Sequence, residues 1–206
     1  MEGGGSGIGV QKVGEGLVSI GNTGRALSEE EIAKYGLKSY PFALDGVAVI
    51  IHPDNPVGGL SAEQVRDIFS GKITNWKEVG GNDLKIVMIS RDTSSGTFES
   101  WDHFVMKKAK VTPRAQMLAS SGAVYTAVSK NRYSIGYLGI GYVKKGVKAL
   151  TVGGTAATIQ TAMSREYPMS RELYMYTNGE PRGETAKFIA FVKGPEGQKI
   201  VAAQGF

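Results

Sequence analysis

The stretch Ser90-Arg91-Asp92-Thr93-Ser94-Ser95-Gly96-Thr97 constrains the fold most, because it joins an apolar run, Leu84 to Ile89, to a helix-patterned run, Phe98 to Ala109. The first run is short, rich in branched residues and nearly continuous in its apolarity, the pattern of a strand buried on both faces of a parallel sheet. In the second run Phe98, Trp101, Phe104 or Val105 and Ala109 recur at helical spacing, so one stripe faces a core. The turn between them therefore sits where a buried strand becomes a helix. Its hydroxyls, glycine and arginine suit an oxyanion, because the first amides of a helix have no partner within it and the helix dipole favours negative charge there. Arg91 adds a planar fork of donors. A serine-capped helix beside a surface arginine has the same composition, and serine caps are common.

The rest of the chain alternates strands and helices. A glycine-rich opening, Met1 to Gly9, predicts a loop running into a short helix through about Glu15; it lacks the third glycine of a dinucleotide fingerprint. Leu17 to Gly21 reads as a strand. Ser28 with Glu31, and Ser61 with Gln64, are capping boxes that open helices ending at Gly36 and near Phe69. Val47 to His52 is a strongly apolar strand. Gly71-Lys72 is followed by Ile73, so it is not a nucleotide P-loop. Thr112-Pro113 predicts a helix start, Ser120 to Val128 another helix, Tyr133 to Val143 an extended stretch and Ala156 to Met163 a helix. Arg171 to Tyr176 alternates as a strand, and helices follow over about 184–192 and 196–203. This order predicts an α/β fold with helices flanking a largely parallel sheet, whose ligands bind beyond the carboxyl ends of the strands.

Composition narrows the classes. The absence of cysteine excludes disulfides and thiolate metal sites. A net charge of +5, from 24 basic and 19 acidic residues scattered along 206, falls short of a nucleic-acid footprint. No apolar run approaches the ~18 residues of a membrane span. The two histidines, His52 and His103, come without a carboxylate cluster at metal spacing, which leaves phosphoryl-transfer chemistry without a nucleophile–base pair.

The segments Gly3 to Gly9, Ile20 to Arg25, Ile68 to Trp76, Arg91 to Thr97 and Ile135-Gly136-Tyr137 resemble the phosphate-binding protein of the bacterial high-affinity phosphate importer, an ABC system. The pairing of the Arg-x-x-x-Ser-Gly-Thr loop with the glycine-serine opening is the specific part. The resemblance implies a two-lobed periplasmic-binding-protein fold (type II), N-terminally truncated here because the family's opening strand, Gly-Ser-Thr loop and long helix precede the segment that opens this chain. Residues 1–45 and 170–206 would form lobe I and 46–169 lobe II. Carried over by position, the phosphate contacts would be Ser6 and Gly7 from one lobe, and Arg91, Ser95, Gly96 and Thr97 from the other. Thr23 matches a further binding loop only loosely.

Thr93 stands where well-known members carry an aspartate that accepts the proton of hydrogen phosphate and repels sulfate; a threonine can accept that hydrogen bond but cannot repel sulfate, so selectivity against sulfate requires compensation by Asp92. The resemblance further implies hinge closure on inorganic phosphate without chemistry, delivery to the membrane subunits of an ABC permease, and a periplasmic or extracytoplasmic location, the export signal being absent from this sequence. It implies no cofactor, no metal, no catalytic residue and no nucleic-acid partner. A lobe lacking a central strand would rearrange or self-associate. The alternatives are an oxyanion-sensing or adhesion module and a phosphatase-like enzyme using the same cradle.

Overall fold

A computed structural model describes residues 6–107 and 109–204. The opening Gly3-Gly4-Gly5 lies outside the described residues, while Ser6 and Gly7 lie within them. In order the elements are α1 (Ser6–Gly14), β1 (Gly21–Thr23), α2 (Glu29–Tyr35), β2 (Leu37–Ile51), β3 (Gly59–Leu60), α3 (Ala62–Ser70), β4 (Val87–Arg91), α4 (Gly96–Trp101), β5 (Gln116–Leu118), α5 (Ser121–Lys130), β6 (Ser134–Gly139), β7 (Lys148–Ala149), β8 (Thr151–Val152), α6 (Ile159–Met163), β9 (Ser170–Asn178), α7 (Gly183–Lys193) and α8 (Pro195–Ala203). The protein is mixed α/β, as the alternation predicts.

The long strand β2 organises the sheet. Its first part, Leu37 to Gly46, pairs antiparallel with β9, and at Val47 it passes to β6, running antiparallel to Gly139 through Ile135. The strand order is β1-β9-β2-β6-β4-β5. Within this sheet β4 has a parallel partner on each side, β5 and β6. The expectation of a largely parallel sheet is thus corrected: β9 and β6 both run against β2, and within this sheet the parallel pairs are those of β4 with β5 and β6, while β3 and β8 form a separate parallel pair. The strand leading into the loop over residues 90–97, called the organising loop below, is in that parallel part, with Met88, Ile89, Ser90 and Arg91 buried.

Local signals explain most elements. Ser28 and Ser61 form complete capping boxes with Glu31 and Gln64, and Gly36 and Gly71 close those helices at φ 64 and 84. Three expectations shift. Leu17 to Ile20 is not a strand: Gly16 turns left-handed at φ 71, Leu17 N–H closes α1 on Lys12 O, and β1 starts only at Gly21. There a Cβ would stand 2.4 Å from Gly9 O, so the glycine lets α1 lie on the strand. Thr112-Pro113 makes a turn rather than a helix, because Thr112 N–H is spent on Phe69 O and its carbonyl and hydroxyl take the amides of Ala115 and Arg114 before β5 begins. The run after the organising loop is α-helical only to Trp101, continues as a π-helical turn over Asp102–Met106, and stops at Lys107 with φ 48.

Two apolar clusters result. The larger one spans residues 47 to 169, with Val47 to Ile51, Phe69, Trp101 and Tyr137 at its centre. The smaller comprises Val10, Val13, Leu27, Leu37 and Tyr176. Phe188, Phe191 and Ile200 on α7 and α8 remain about half exposed. Among the described residues no helix is long and apolar enough to cross a membrane.

Candidate functional site

The organising loop is held from below by Tyr137 on β6. Its ring stacks on Trp101 of α4 at 4.0 Å between centroids and 1° between planes, and meets the edge of Phe69 at 5.6 Å. Its hydroxyl takes the Arg91 N–H at 3.1 Å and bonds Ser90 Oγ at 2.9 Å. One side chain therefore fixes the end of β4 and the body of α4 together, which sets the turn between them. Burial raises its phenol to about 12. It remains a neutral hydrogen-bonding group at any physiological pH.

Ser95 caps α4, its Oγ accepting from Thr97 N–H and Phe98 N–H at 3.2 and 3.3 Å. Asp92 folds the preceding turn by accepting from Ser94 N–H at 3.1 Å and from Ser94 Oγ. The first turn of α4 meets the first turn of α1. A Cβ on Gly96 would stand 3.0 Å from Ser6 Oγ, and Ser6 Oγ accepts from Gly24 N–H at 3.2 Å. Ser100 Oγ reaches Gly24 O at 3.2 Å. Two helix starts and the loop after β1 thus converge on one point, and the missing side chains of Gly24 and Gly96 make the approach possible.

Of the residues expected from the sequence, Ser6, Ser95, Gly96 and Thr97 are brought together here. Gly7 follows Ser6 in α1 with nothing within 4 Å of its Cβ position. Thr23 is buried beside the point, its hydroxyl donating to Arg25 O at 2.6 Å. Thr93 is exposed at the tip of the loop.

Arg91 turns along the neighbouring strand: Nε donates to Leu118 O, Nη1 to Ser121 Oγ and Nη2 to Ala119 O, at 3.1 to 3.2 Å. Among the described residues this leaves two of its five N–H donors for another acceptor. Burial pushes its pKa below the ordinary value, with Asp92 acting in the opposite sense.

Sequence reasoning missed a second guanidinium. Arg171, on β9, donates through Nη1 to Gly96 O and Ser100 Oγ, both at 2.8 Å, and through Nη2 to Thr97 Oγ1 at 3.4 Å. It is ion-paired with Asp45, Nε at 2.9 Å and Nη2 at 2.6 Å from Oδ2. The strand was legible, but a contact spanning 75 positions carries no local signal; only the matching break points near Asp45 and Ser170 hinted at it.

A cavity of about 530 Å³ opens on the flank of α4, lined by Arg25, Glu99, His103, Arg171 and Tyr174 among others. Arg91, Ser95 and Thr97 are not on its wall. The meeting point of α1 and α4 lies at its edge, reached through Gly24, Ser100 and Arg171.

Two helix starts meet where two separately cored parts of an α/β chain join, and the PBP superfamily domain matches residues 1–196, which places the chain in the PBP superfamily. The chain is 35% identical to the phosphate-binding protein PstS of Borreliella burgdorferi over 98% of its own length and 76% of that protein's, and 34% identical to PstS of Bacillus subtilis over 100% and 69%. Among solved structures it matches a Clostridium perfringens protein described as a phosphate ABC transporter substrate-binding protein, crystallised with bound phosphate, at TM-score 0.90 and 39% identity over 98% of this chain and 83% of that one. An ABC-type phosphate transport receptor from Vibrio cholerae matches at TM-score 0.86 and 34% identity over 98% and 84%. The chain belongs to the family of PstS phosphate-binding proteins.

Proposed function

We propose that the chain binds inorganic phosphate between two lobes, residues 1–45 with 170–206 and residues 46–169, and passes it unchanged to an ABC-type permease outside the cytoplasm. The observation that carries this reading is the meeting of Ser6, at the start of α1, with Gly96, at the start of α4. Two helix starts facing one point bring two favourable dipole ends together. The phosphate-binding residues are Ser6, Gly7, Thr23, Arg91, Thr93, Ser95, Gly96 and Thr97, to which the Arg171 contacts add a second cation at the edge. Hydrogen bonds to a charged group contribute ~1.5–3 kcal/mol each, so four or five of them offset the desolvation of a dianion. The protein does no chemistry on its ligand.

Calorimetric titration with phosphate tests this. The wild-type chain binds, and Arg91→Ala weakens binding by about 100-fold or more, the equivalent of two charged hydrogen bonds. A chain that takes up no phosphate, or that turns over a phosphate ester, overturns the reading. Self-association through α7 and α8 belongs to the same proposal, supported by the exposure of Phe188, Phe191 and Ile200.

A further inference from the structure

We infer that Arg25 and Glu99 form a latch between the loop after β1 and α4, one that completes a direct hydrogen bond when the anion draws these two parts together and that slows the anion's release. The inference rests on phosphate being the ligand. It concerns two side chains on the wall of the flanking cavity, neither of which is among the phosphate contacts.

Glu99 carries the first observation. Its side chain is 26% exposed, yet its Oε2 is buried and accepts no hydrogen bond among the described residues. Buried polar atoms are nearly always paired, because one cut off from water and left without a partner bears its full desolvation cost. Arg25 Nε stands 3.9 Å from this oxygen, beyond hydrogen-bonding distance. Arg25 is held in place by its other nitrogens: Nη1 and Nη2 each donate to Glu31 at 2.8 Å, and Nη1 donates to Ala26 O at 3.1 Å. Among the described residues its Nε–H is uncommitted. An unused donor and an unused acceptor of opposite charge therefore face each other about 1 Å short of a charge-assisted hydrogen bond.

The surroundings say what closes the gap. Gly96, Glu99 and Ser100 have the spacing of one face of α4. Two positions of that face are already joined to the other part of the chain: Ser100 Oγ donates to Gly24 O at 3.2 Å, and Arg171 Nη1 donates to Gly96 O and Ser100 Oγ at 2.8 Å. Glu99 is the position left open in the row. The existing bonds hold the face against Gly24, next to Arg25, so a small rotation about them brings Glu99 onto Nε. An anion gripped by the first turns of α1 and α4 pulls in the same direction. The pair then forms fully only with the anion in place, and whatever it contributes favours the bound form. Arg25 and Glu99 are thus positioning residues for retention.

Stopped-flow displacement of phosphate, followed by tryptophan fluorescence, tests the latch together with thermal unfolding of the same proteins. Glu99→Ala releases phosphate about fivefold faster than wild type, the upper end for a partly exposed ion pair, while its association rate is unchanged. Its Tm without phosphate equals or exceeds that of wild type, because the substitution removes the orphaned oxygen and places a strong helix former on α4; a merely structural role for Glu99 would lower the Tm instead. Arg25→Gln also speeds release, and Arg25→Gln/Glu99→Ala is no faster than the faster single variant, since either change already breaks the pair. Release from Glu99→Ala within about twofold of wild type, or effects of the two substitutions that multiply in the double variant, overturns the inference while phosphate binding stands. A wild-type chain that takes up no phosphate overturns the functional reading and this inference with it.

Discussion

Replacing Tyr137 with phenylalanine removes one oxygen atom and leaves the ring, its stacking on Trp101 and its contact with Phe69 in place. That oxygen is the acceptor for Arg91 N–H and the partner of Ser90 Oγ, and both partner residues are buried. Ser90 Oγ retains a long bond to Arg91 O at 3.5 Å, but the Arg91 amide has no substitute and its burial unpaired costs about 1–3 kcal/mol. The variant is therefore expected to lose about 2 kcal/mol of folding stability, or about 4–8 °C in Tm for a chain of this size. Urea unfolding followed by tryptophan fluorescence measures it, with the slope against denaturant unchanged because the surface exposed on unfolding is the same. Loosening the end of β4 also loosens Arg91, so phosphate affinity drops roughly tenfold, about 1.4 kcal/mol. Both effects hold steady between pH 6 and 9, because burial keeps this phenol protonated up to about 12. A loss under about 0.5 kcal/mol with phosphate affinity intact refutes the claim that Tyr137 sets the loop.

Two further outcomes follow from other contacts. Arg25 donates to both Glu31 oxygens at 2.8 Å and the Ser28 amide to one of them at 2.9 Å, which holds the Glu31 carboxyl down at about 2. A carboxyl depressed by folding stabilises the native state above its unfolded value near 4.5 and loses that contribution as pH falls towards 2. With both side chains about one-third exposed the effect is about 1 kcal/mol, so Glu31→Gln flattens the fall of Tm between pH 5 and 2 relative to wild type, and identical profiles count against the pair. On α7, Phe191→Glu places a charge on the exposed apolar face; light scattering then reports a lower mass than wild type at equal concentration, whereas a wild-type chain already monomeric at high concentration removes self-association from the proposal.

Legibility in the sequence followed distance along the chain. The capping boxes at Ser28 and Ser61, the stop at Gly36, the Ser95 cap and the buried approach of β4 were all readable, because each is settled within four or five residues by backbone amides seeking the nearest acceptor. The expected helix at Thr112 failed for the converse reason: its amide found a partner at Phe69, across the fold. The strand expected at Leu17 failed because Gly16 and the closure of α1 consumed the backbone first.

The sequence by itself determined that a buried strand turns into a capped helix through hydroxyls, a glycine and an arginine, since apolar periodicity and first-turn amides are properties of adjacent residues. Tertiary structure alone decided that α1 would bring Ser6 to Gly96, that Arg91 would lean on the carbonyls of Leu118 and Ala119, and that Arg171 would carry Asp45 to the same helix start. Those pairings join residues dozens of positions apart. Arg171 reaches α4 because β2 runs through both parts of the sheet and carries β9 beside it, and Arg91 meets Leu118 because β4 pairs with β5.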